Sequence, residues 1–198
     1  MKKKFFIILF LLYCSVWAET IGHNIISRSY QDSATYINFV DTSVSFNISG
    51  KIESWNIYGT RSGPLSLQVY RKVSGTVYML VGENTVTTNS TGSQTFSIAS
   101  ANQIQFQAGD FIGWRFTATT SVPSQGGSIY FGTPGTGETG GVRWAHSTPG
   151  ITNGQTLDFI NADNRTYSIQ ANFNTNVPEP STFLLFFAAA IFLYKKNR

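Results

Sequence analysis

The fold is decided by the alternating pattern of residues 103–116, which read QIQFQAGDFIGWRF. In the first half, Ile104 and Phe106 alternate with glutamines, and in the second half Trp114 continues the same alternation after the turn-forming letters AGD. Alternating apolar and polar residues place every second side chain on one face of a β-strand. We therefore predict two strands here, with Trp114 in the core.

The same alternation recurs along the chain, and glycine, asparagine and proline separate the runs. Many short alternating strands with turn residues between them are typical of antiparallel sandwiches and jelly rolls. We therefore predict an all-β fold for residues 19–176, an antiparallel β-sandwich or jelly roll. Further runs occupy residues 44–48, 65–70, 112–116 and 167–173, and short strands are expected at 129–131 and 142–144.

Residues 1–18 have the three parts of a secretory signal peptide. Basic residues 2–4 precede an apolar stretch, and Ala18 supplies the small residue that signal peptidase requires. The apolar stretch is shorter than the roughly 20 residues of a membrane-spanning helix, so we predict cleavage before Glu19. Cleavage removes Cys14, the only cysteine, which leaves a domain with neither a disulfide nor a cysteine-based metal site.

The C-terminal residues 177–198 contain three further parts in order: a motif at 177–182, an apolar segment at 183–194 and a basic tail at 195–198. The prolines of the motif keep its backbone extended and accessible to an enzyme. As a helix, the apolar segment would cover about 18 Å of a bilayer core of about 30 Å, so it predicts a weak anchor. The motif itself consists of Val177, Pro178, Glu179 and Pro180, followed by a serine and a threonine.

This order of motif, apolar segment and basic tail resembles the PEP-CTERM sorting signal. The resemblance implies a C-terminal hydrophobic helix that holds the protein in the inner membrane before processing. It also implies that an exosortase, a membrane protease-transpeptidase, then cuts near the motif in a Gram-negative bacterium that makes exopolysaccharide. The processed protein would lie on the cell surface or outside the cell. Retention by a simple tail anchor, with the basic tail in the cytoplasm, is the alternative.

The net charge of +4 belongs to the two ends of the chain. Six of the 14 Lys and Arg residues flank the two apolar segments, which leaves 8 against 10 Asp and Glu, or −2, between them. Nucleic-acid binding requires a basic patch on the domain itself. We therefore expect no nucleic-acid partner.

A glycine- and proline-rich segment, residues 121–154, interrupts the alternation and predicts long loops, where binding residues often lie. Within it, Trp144 is flanked by Arg143 and His146, and Trp and Arg are favoured recognition residues. We predict a ligand-binding platform from these three residues; packing of Trp144 under its own loop is the alternative. The preceding strands are loosely similar to the lectin-like or adhesive sandwiches of secreted proteins.

Calcium is the one cofactor for which the sequence offers ligands. Asp158 and Asp163, with Asn161 and Asn164 beside them, provide the oxygen atoms that Ca²⁺ prefers. The alternative is that these side chains cap turns.

The letters GTGETG at 135–140 match a dinucleotide fingerprint, but a strand-like run follows them where that fingerprint needs a helix.

Three functions are compatible with these observations. The first is an exported, non-enzymatic cell-surface or extracellular matrix protein, which is sorted by an exosortase and associated with exopolysaccharide. The second is a lectin-like carbohydrate-binding module. The third is a secreted polysaccharide hydrolase that would use a carboxylate pair drawn from Glu53, Asp158 and Asp163; no nucleophile motif supports it, so we predict no catalytic residues.

Overall fold

The computed structural model describes residues 19–32, 36–89, 91–117 and 126–175. Within these ranges the chain forms β-strands and one 3₁₀ turn, Ser100–Asn102, and the strands make two antiparallel sheets, so the predicted all-β sandwich is confirmed. In the same ranges, no helix is long and apolar enough to cross a membrane. The predicted signal peptide, the C-terminal hydrophobic helix and the sorting motif Val177, Pro178, Glu179 and Pro180 lie outside the described residues.

One sheet has eight strands, arranged around a long central strand. They are β1 (Glu19–Gly22), β2 (Tyr30–Gln31), β4 (Gly50–Arg61), β7 (Gly92–Ser97), β8 (Gln105–Phe106), β10 (Ser128–Gly132), β14 (Thr166–Tyr167) and β15 (Ile169–Asn174). β15 and β10 pair with one edge of β4, and β7 and β8 pair with its other edge. β1 adds to β15, while β2 and β14 pair with β10.

The other sheet has seven strands. They are β3 (Ile37–Asp41), β5 (Gly63–Ser74), β6 (Val77–Thr88), β9 (Phe111–Phe116), β11 (Val142–His146), β12 (Thr156–Asp158) and β13 (Asn161–Asp163). Their order in the sheet is β12-β6-β5-β9-β3-β11-β13. The strands expected at 129–131 and 142–144 are confirmed as β10 and β11.

The seven-stranded sheet is strongly curled. Its two edge strands, β12 and β13, are joined by only Phe159 and Ile160. Seven flat strands would span about 29 Å at a spacing of about 4.8 Å, whereas three peptide steps reach at most about 11 Å. The sheet must therefore bend until its two edges approach each other.

The main core lies between the two sheets. Trp114 is completely buried there, as strand parity predicts, and its ring stacks on Phe39 with centroids 5.4 Å apart. Burial of large side chains of this kind stabilises a fold by about 1.5–3 kcal/mol each. Other fully buried members are Ile52, Trp55, Ile57, Leu65, Leu67, Val69, Ile112, Phe116, Ile129, Tyr167, Ile169 and Ala171.

A second, smaller core lies on the other face of the seven-stranded sheet. Phe159, from the link between the two edge strands, makes edge-to-face contacts with Tyr70 and Tyr78 at centroid distances of 5.1 and 5.5 Å. All three side chains are buried. The curl thus encloses an apolar cluster whose other members are Val40, Leu80 and Ala145.

A buried ion pair holds the loop that contains residues 135–140, the segment that matches the dinucleotide fingerprint. The guanidinium of Arg28 donates to both carboxylate oxygens of Glu138 at 2.8 and 2.7 Å, and to Ser168 Oγ at 2.8 Å. The Arg28 and Glu138 side chains are 5% and 8% exposed. The hydrogen bonds from Arg28 lower the pKa of Glu138 to about 2. Glu138 is therefore held in place by Arg28. The element that follows this loop is the strand β11, whereas a dinucleotide fingerprint is followed by a helix.

This ion pair predicts a loss of stability in acid. A carboxyl with a lowered folded-state pKa stabilises the fold above its unfolded pKa of 4.5, and the contribution disappears as the pH falls toward about 2. We expect Glu138→Gln to lower the free energy of unfolding by about 3 kcal/mol near neutral pH, because Arg28 stays buried without its carboxylate. The deficit relative to wild type should shrink between pH 4.5 and 2.

Urea unfolding of both proteins at several pH values measures this difference. Glu19→Gln is the control, since Glu19 begins the edge strand β1 and is only partly buried. A deficit for Glu138→Gln that stayed constant down to pH 2 would contradict the assigned role of the ion pair.

Candidate functional site

Trp144, the predicted platform residue, is partly buried. It lies on β11, packs against the main core, and donates its indole N–H to Asp163 Oδ2 at 2.9 Å. The exposed His146 contacts the indole ring edge-on, with centroids 5.9 Å apart. Trp144 therefore supports the neighbouring Asp163, and only part of its ring remains for a ligand.

Arg143 is not on the same face as the other two platform residues. Alternation along β11 points it to the opposite side of the strand, where its Nη1 atom donates to the Phe159 carbonyl oxygen at 3.2 Å. The structure thus brings Trp144 and His146 together but leaves Arg143 beside the second core.

The two predicted calcium ligands serve different partners. Asp158 ends β12 and accepts a hydrogen bond from Thr76 Oγ1 at 2.5 Å. Asp163 ends β13, where it accepts from Trp144 and lies 3.3 Å from Arg165 Nη2. Among the described residues, no group of three or more His, Cys, Asp or Glu side chains is placed to hold a metal ion.

Asp163 does take part in a different site, a shallow groove of about 240 Å³. The Tyr30 side chain at its rim is 57% exposed, and its ring centroid lies 5.5 Å from that of Phe131. Strand pairing explains this contact, because Tyr30 of β2 is directly opposite Phe131 of β10. We define the Tyr30 groove by its lining residues Tyr30, Phe131, Thr133, Asp163, Asn164 and Arg165.

Contacts with an aromatic ring and two carboxylates hold Arg165, a polar residue of the Tyr30 groove, in position. The Arg165 guanidinium lies 4.7 Å above the Phe131 ring and within ion-pair distance of Asp163 and Asp32, at 3.3 and 3.8 Å. Tyr167 donates its hydroxyl to Asp32 at 2.5 Å. Burial, together with Asp32, raises the pKa of Tyr167 well above its usual value, so this hydroxyl stays protonated. Arg165 is thus fixed by a cation–π contact and two carboxylates.

Sequence reasoning did not identify Tyr30 as a site residue. Tyr30 lies in a polar segment without alternation, and the only signal is a large aromatic residue among Ser, Arg and Gln. Its role depends on the pairing of β2 with β10, which joins residues about 100 positions apart. A local pattern does not contain that information.

A larger groove, of about 680 Å³, opens between β6 and β7. Its lining is mostly Ser, Thr and Asn, and the lining residue Asn84 accepts a hydrogen bond from the buried Trp55 Nε1 at 3.0 Å. Phe96, the aromatic residue in its lining, packs against the main core. This groove therefore offers hydrogen bonds but little aromatic surface, and the Tyr30 groove is the better candidate.

The Tyr30 groove combines an exposed aromatic ring with amide, carboxylate and guanidinium groups in fixed positions. That combination can stack on the apolar face of a small ring and hydrogen-bond to its polar edge. No protein-family model matches this chain, and neither a curated protein nor a solved structure is significantly similar to it.

Proposed function

We propose that this chain is an exported, non-enzymatic surface protein whose β-sandwich binds polysaccharide through the Tyr30 groove. The observation that carries the proposal is the 57% exposed Tyr30 ring beside Phe131. Tyr30 is the aromatic residue with the largest exposure among the described hydrophobic side chains. Exposed aromatic rings beside polar groups are favoured recognition sites.

The chemistry of the Tyr30 groove suits a sugar ring. A pyranose has an apolar face that can stack on Tyr30, and hydroxyl groups that can reach Asn164, Asp163 and Arg165. The groove is smaller than the roughly 300–1,000 Å³ of pockets that enclose whole small molecules. It therefore suits one or two rings of a polymer that continues into solvent.

The two terminal segments support export. Signal peptidase would act before Glu19 and an exosortase near Pro178–Pro180, so that the domain passes from the inner membrane to the cell surface or the surrounding matrix. The exopolysaccharide that the PEP-CTERM resemblance implies is then the nearest glycan. Loss of surface display after deletion of residues 177–198 would support this route, whereas unchanged display would contradict it.

Replacing Tyr30 with alanine should weaken glycan binding about tenfold, because the stacking surface is removed. The thermal midpoint should change little, since more than half of the side chain is already exposed. Trp144→Phe should have a smaller effect, because it removes the N–H that holds Asp163 but keeps an aromatic ring.

Binding of the full-length chain, solubilised in mild detergent, to an array of bacterial and plant oligosaccharides measures these effects. Val73→Ala is the matched control, since Val73 is also 57% exposed but lies outside the groove lining. If Tyr30→Ala bound as tightly as wild type, the groove would not be the binding site. Release of reducing sugar ends by the wild-type protein would instead support the hydrolase.

A further inference from the structure

The outer face of the eight-stranded sheet has an unusual composition. Its side chains alternate with core residues of the same strands and point away from the main core. Each of them is an amide, a hydroxyl or a tyrosine. We define this polar face by Thr20 of β1, Ser54, Asn56 and Tyr58 of β4, Ser93, Thr95 and Ser97 of β7, Tyr130 of β10, and Gln170 and Asn172 of β15.

None of the ten residues that define the polar face is charged. The charged residues in the five described strands that form it are Glu19 of β1, and Lys51, Glu53 and Arg61 of β4. Glu53 is next to Ser54 and accepts a hydrogen bond from Asn174 Nδ2 at 2.5 Å, so its charge lies at the margin of the polar face. Soluble proteins are designed with surfaces that are about 25–35% charged. The ten residues of the polar face include no charged side chain, so this face differs from a surface made only for solubility.

Strand pairing aligns the polar face in rows that cross the sheet. One row runs from Ser97 through Ser54 and Asn172 to Thr20, because each is the register partner of the next. A second row is Thr95, Asn56 and Gln170. Neighbouring strands are about 4.8 Å apart, so a polymer laid across the sheet meets a hydrogen-bonding side chain at every strand.

Hydrogen bonds within the rows hold the side chains in position. Thr95 Oγ1 donates to Asn56 Oδ1 at 2.7 Å, Asn56 Nδ2 to Gln170 Oε1 at 3.4 Å, and Asn172 Nδ2 to Ser54 Oγ at 2.8 Å. These bonds leave the Gln170 amide N–H₂ group and the Asn172 carbonyl oxygen for a ligand. Short side chains that are already ordered lose little entropy when they bind.

A third row ends in aromatic surface. Tyr58 is the register partner of Ser93 and makes an edge-to-face contact with Tyr130, with ring centroids 5.5 Å apart. Gln31, the register partner of Tyr130, donates to its hydroxyl at 3.4 Å. The polar face thus has two adjacent tyrosines at one end of its amide and hydroxyl rows.

We propose that the polar face is a second binding surface, and that its ligand is an extended, uncharged polysaccharide lying across the strands. A neutral polymer of hydroxyl groups can exchange hydrogen bonds with amides and hydroxyls without desolvating a charge. A protein partner would bring charged side chains onto this surface, and a second copy of the chain would find little of the apolar centre that stable dimers bury. The surface is separate from the Tyr30 groove.

The test uses the full-length chain in mild detergent and powders of cellulose and chitin, which are insoluble and uncharged. We expect sedimentation with the powder, and the same bound fraction in 0.05 and 1 M NaCl, because no charge pairs contribute. The double variant Gln170→Glu with Asn172→Asp keeps side-chain size but adds two charges, and should bind about tenfold less.

The matched control is Gln107→Glu with Asn153→Asp, which adds the same charges at exposed positions elsewhere. It should bind like wild type, as should Tyr30→Ala. Loss of binding in Tyr30→Ala together with full binding by the Gln170–Asn172 double variant would overturn the inference and leave the proposed function intact. The reverse pattern is the expected one and would support the polar face, while the oligosaccharide array tests the Tyr30 groove separately.

Two further outcomes would also overturn the inference. One is a folded wild-type protein that binds neither powder. The other is a concentration-dependent dimer in sedimentation velocity that the Gln170–Asn172 variant abolishes while powder binding persists, because the polar face would then be a contact between copies of the chain.

Discussion

Replacing His23 with alanine is expected to lower the free energy of unfolding by about 3–5 kcal/mol, the effect of leaving a buried charge without its partner. His23 Nε2 lies 2.7 Å from Asp41 Oδ2, and the side chains are 3% and 0% exposed. Ser43 donates its backbone N–H and its hydroxyl to the other carboxylate oxygen, at 2.9 and 2.6 Å, but these bonds do not replace the imidazole.

The position of this pair adds to its importance. His23 follows β1 of the eight-stranded sheet, whereas Asp41 ends β3 of the seven-stranded sheet. The contact therefore joins the two sheets at their margin.

Urea denaturation of His23→Ala beside His146→Ala provides a matched comparison, because these are the two histidines of the chain and His146 is exposed. His146→Ala should change the free energy of unfolding by less than about 0.5 kcal/mol. If His23→Ala lowered the free energy of unfolding by no more than the small amount expected for His146→Ala, the His23–Asp41 contact would add nothing to stability.

Phe159→Ala should have an effect of similar size, a loss of about 3–5 kcal/mol for a buried phenylalanine. Phe159 is completely buried and fills the space between Tyr70 and Tyr78. It also belongs to the two-residue link between the edge strands β12 and β13. Removing its ring leaves a cavity in the second core at the point where the curled sheet closes.

Its neighbour Ile160 is the natural control, since that side chain is 69% exposed. Ile160→Ala changes the same link without opening a cavity, and should leave the urea midpoint close to that of wild type. Near-ultraviolet circular dichroism should report the loosened tyrosines in Phe159→Ala only. A stable Phe159→Ala protein with an unchanged tyrosine signal would mean that the second core is not packed as described.

The alternating runs predicted the fold class because they are local signals. Trp114 shares the parity of its apolar neighbours, and that parity alone places it in the core, where it is fully buried. The strands at 128–132 and 142–146 were also predictable, because short apolar alternation survives within a glycine-rich segment.

The second core was not predictable from alternation. Leu65, Leu67 and Val69 face the main core as expected, but Gln68 and Tyr70 on the other parity are also fully buried. The Gln68 amide donates to Glu83, and the Tyr70 hydroxyl donates to Gln68 at 2.9 Å, so the buried polar groups are paired. Period-two alternation identifies the more apolar face; it does not report that a distant segment covers the other one.

The candidate site was predictable only in part, for the same reason. Composition pointed to Trp144 and Asp163, which the structure joins by a hydrogen bond. Arg143 was grouped with them by adjacency in sequence, although neighbours in a strand point to opposite faces. Tyr30 and the rows of the polar face depend on strand register, which a single sequence does not specify.

The position of β15 has a mechanical consequence. β15 leads directly toward the C-terminal tail, and it lies between β1 and β4, with four and six register partners respectively. Antiparallel hydrogen bonds run across the strands, so a pull on the tail along β15 loads these bonds in shear, all at once. A force applied to the chain at the end of β15 would therefore be carried by all ten register pairs together, and so by the whole central sheet.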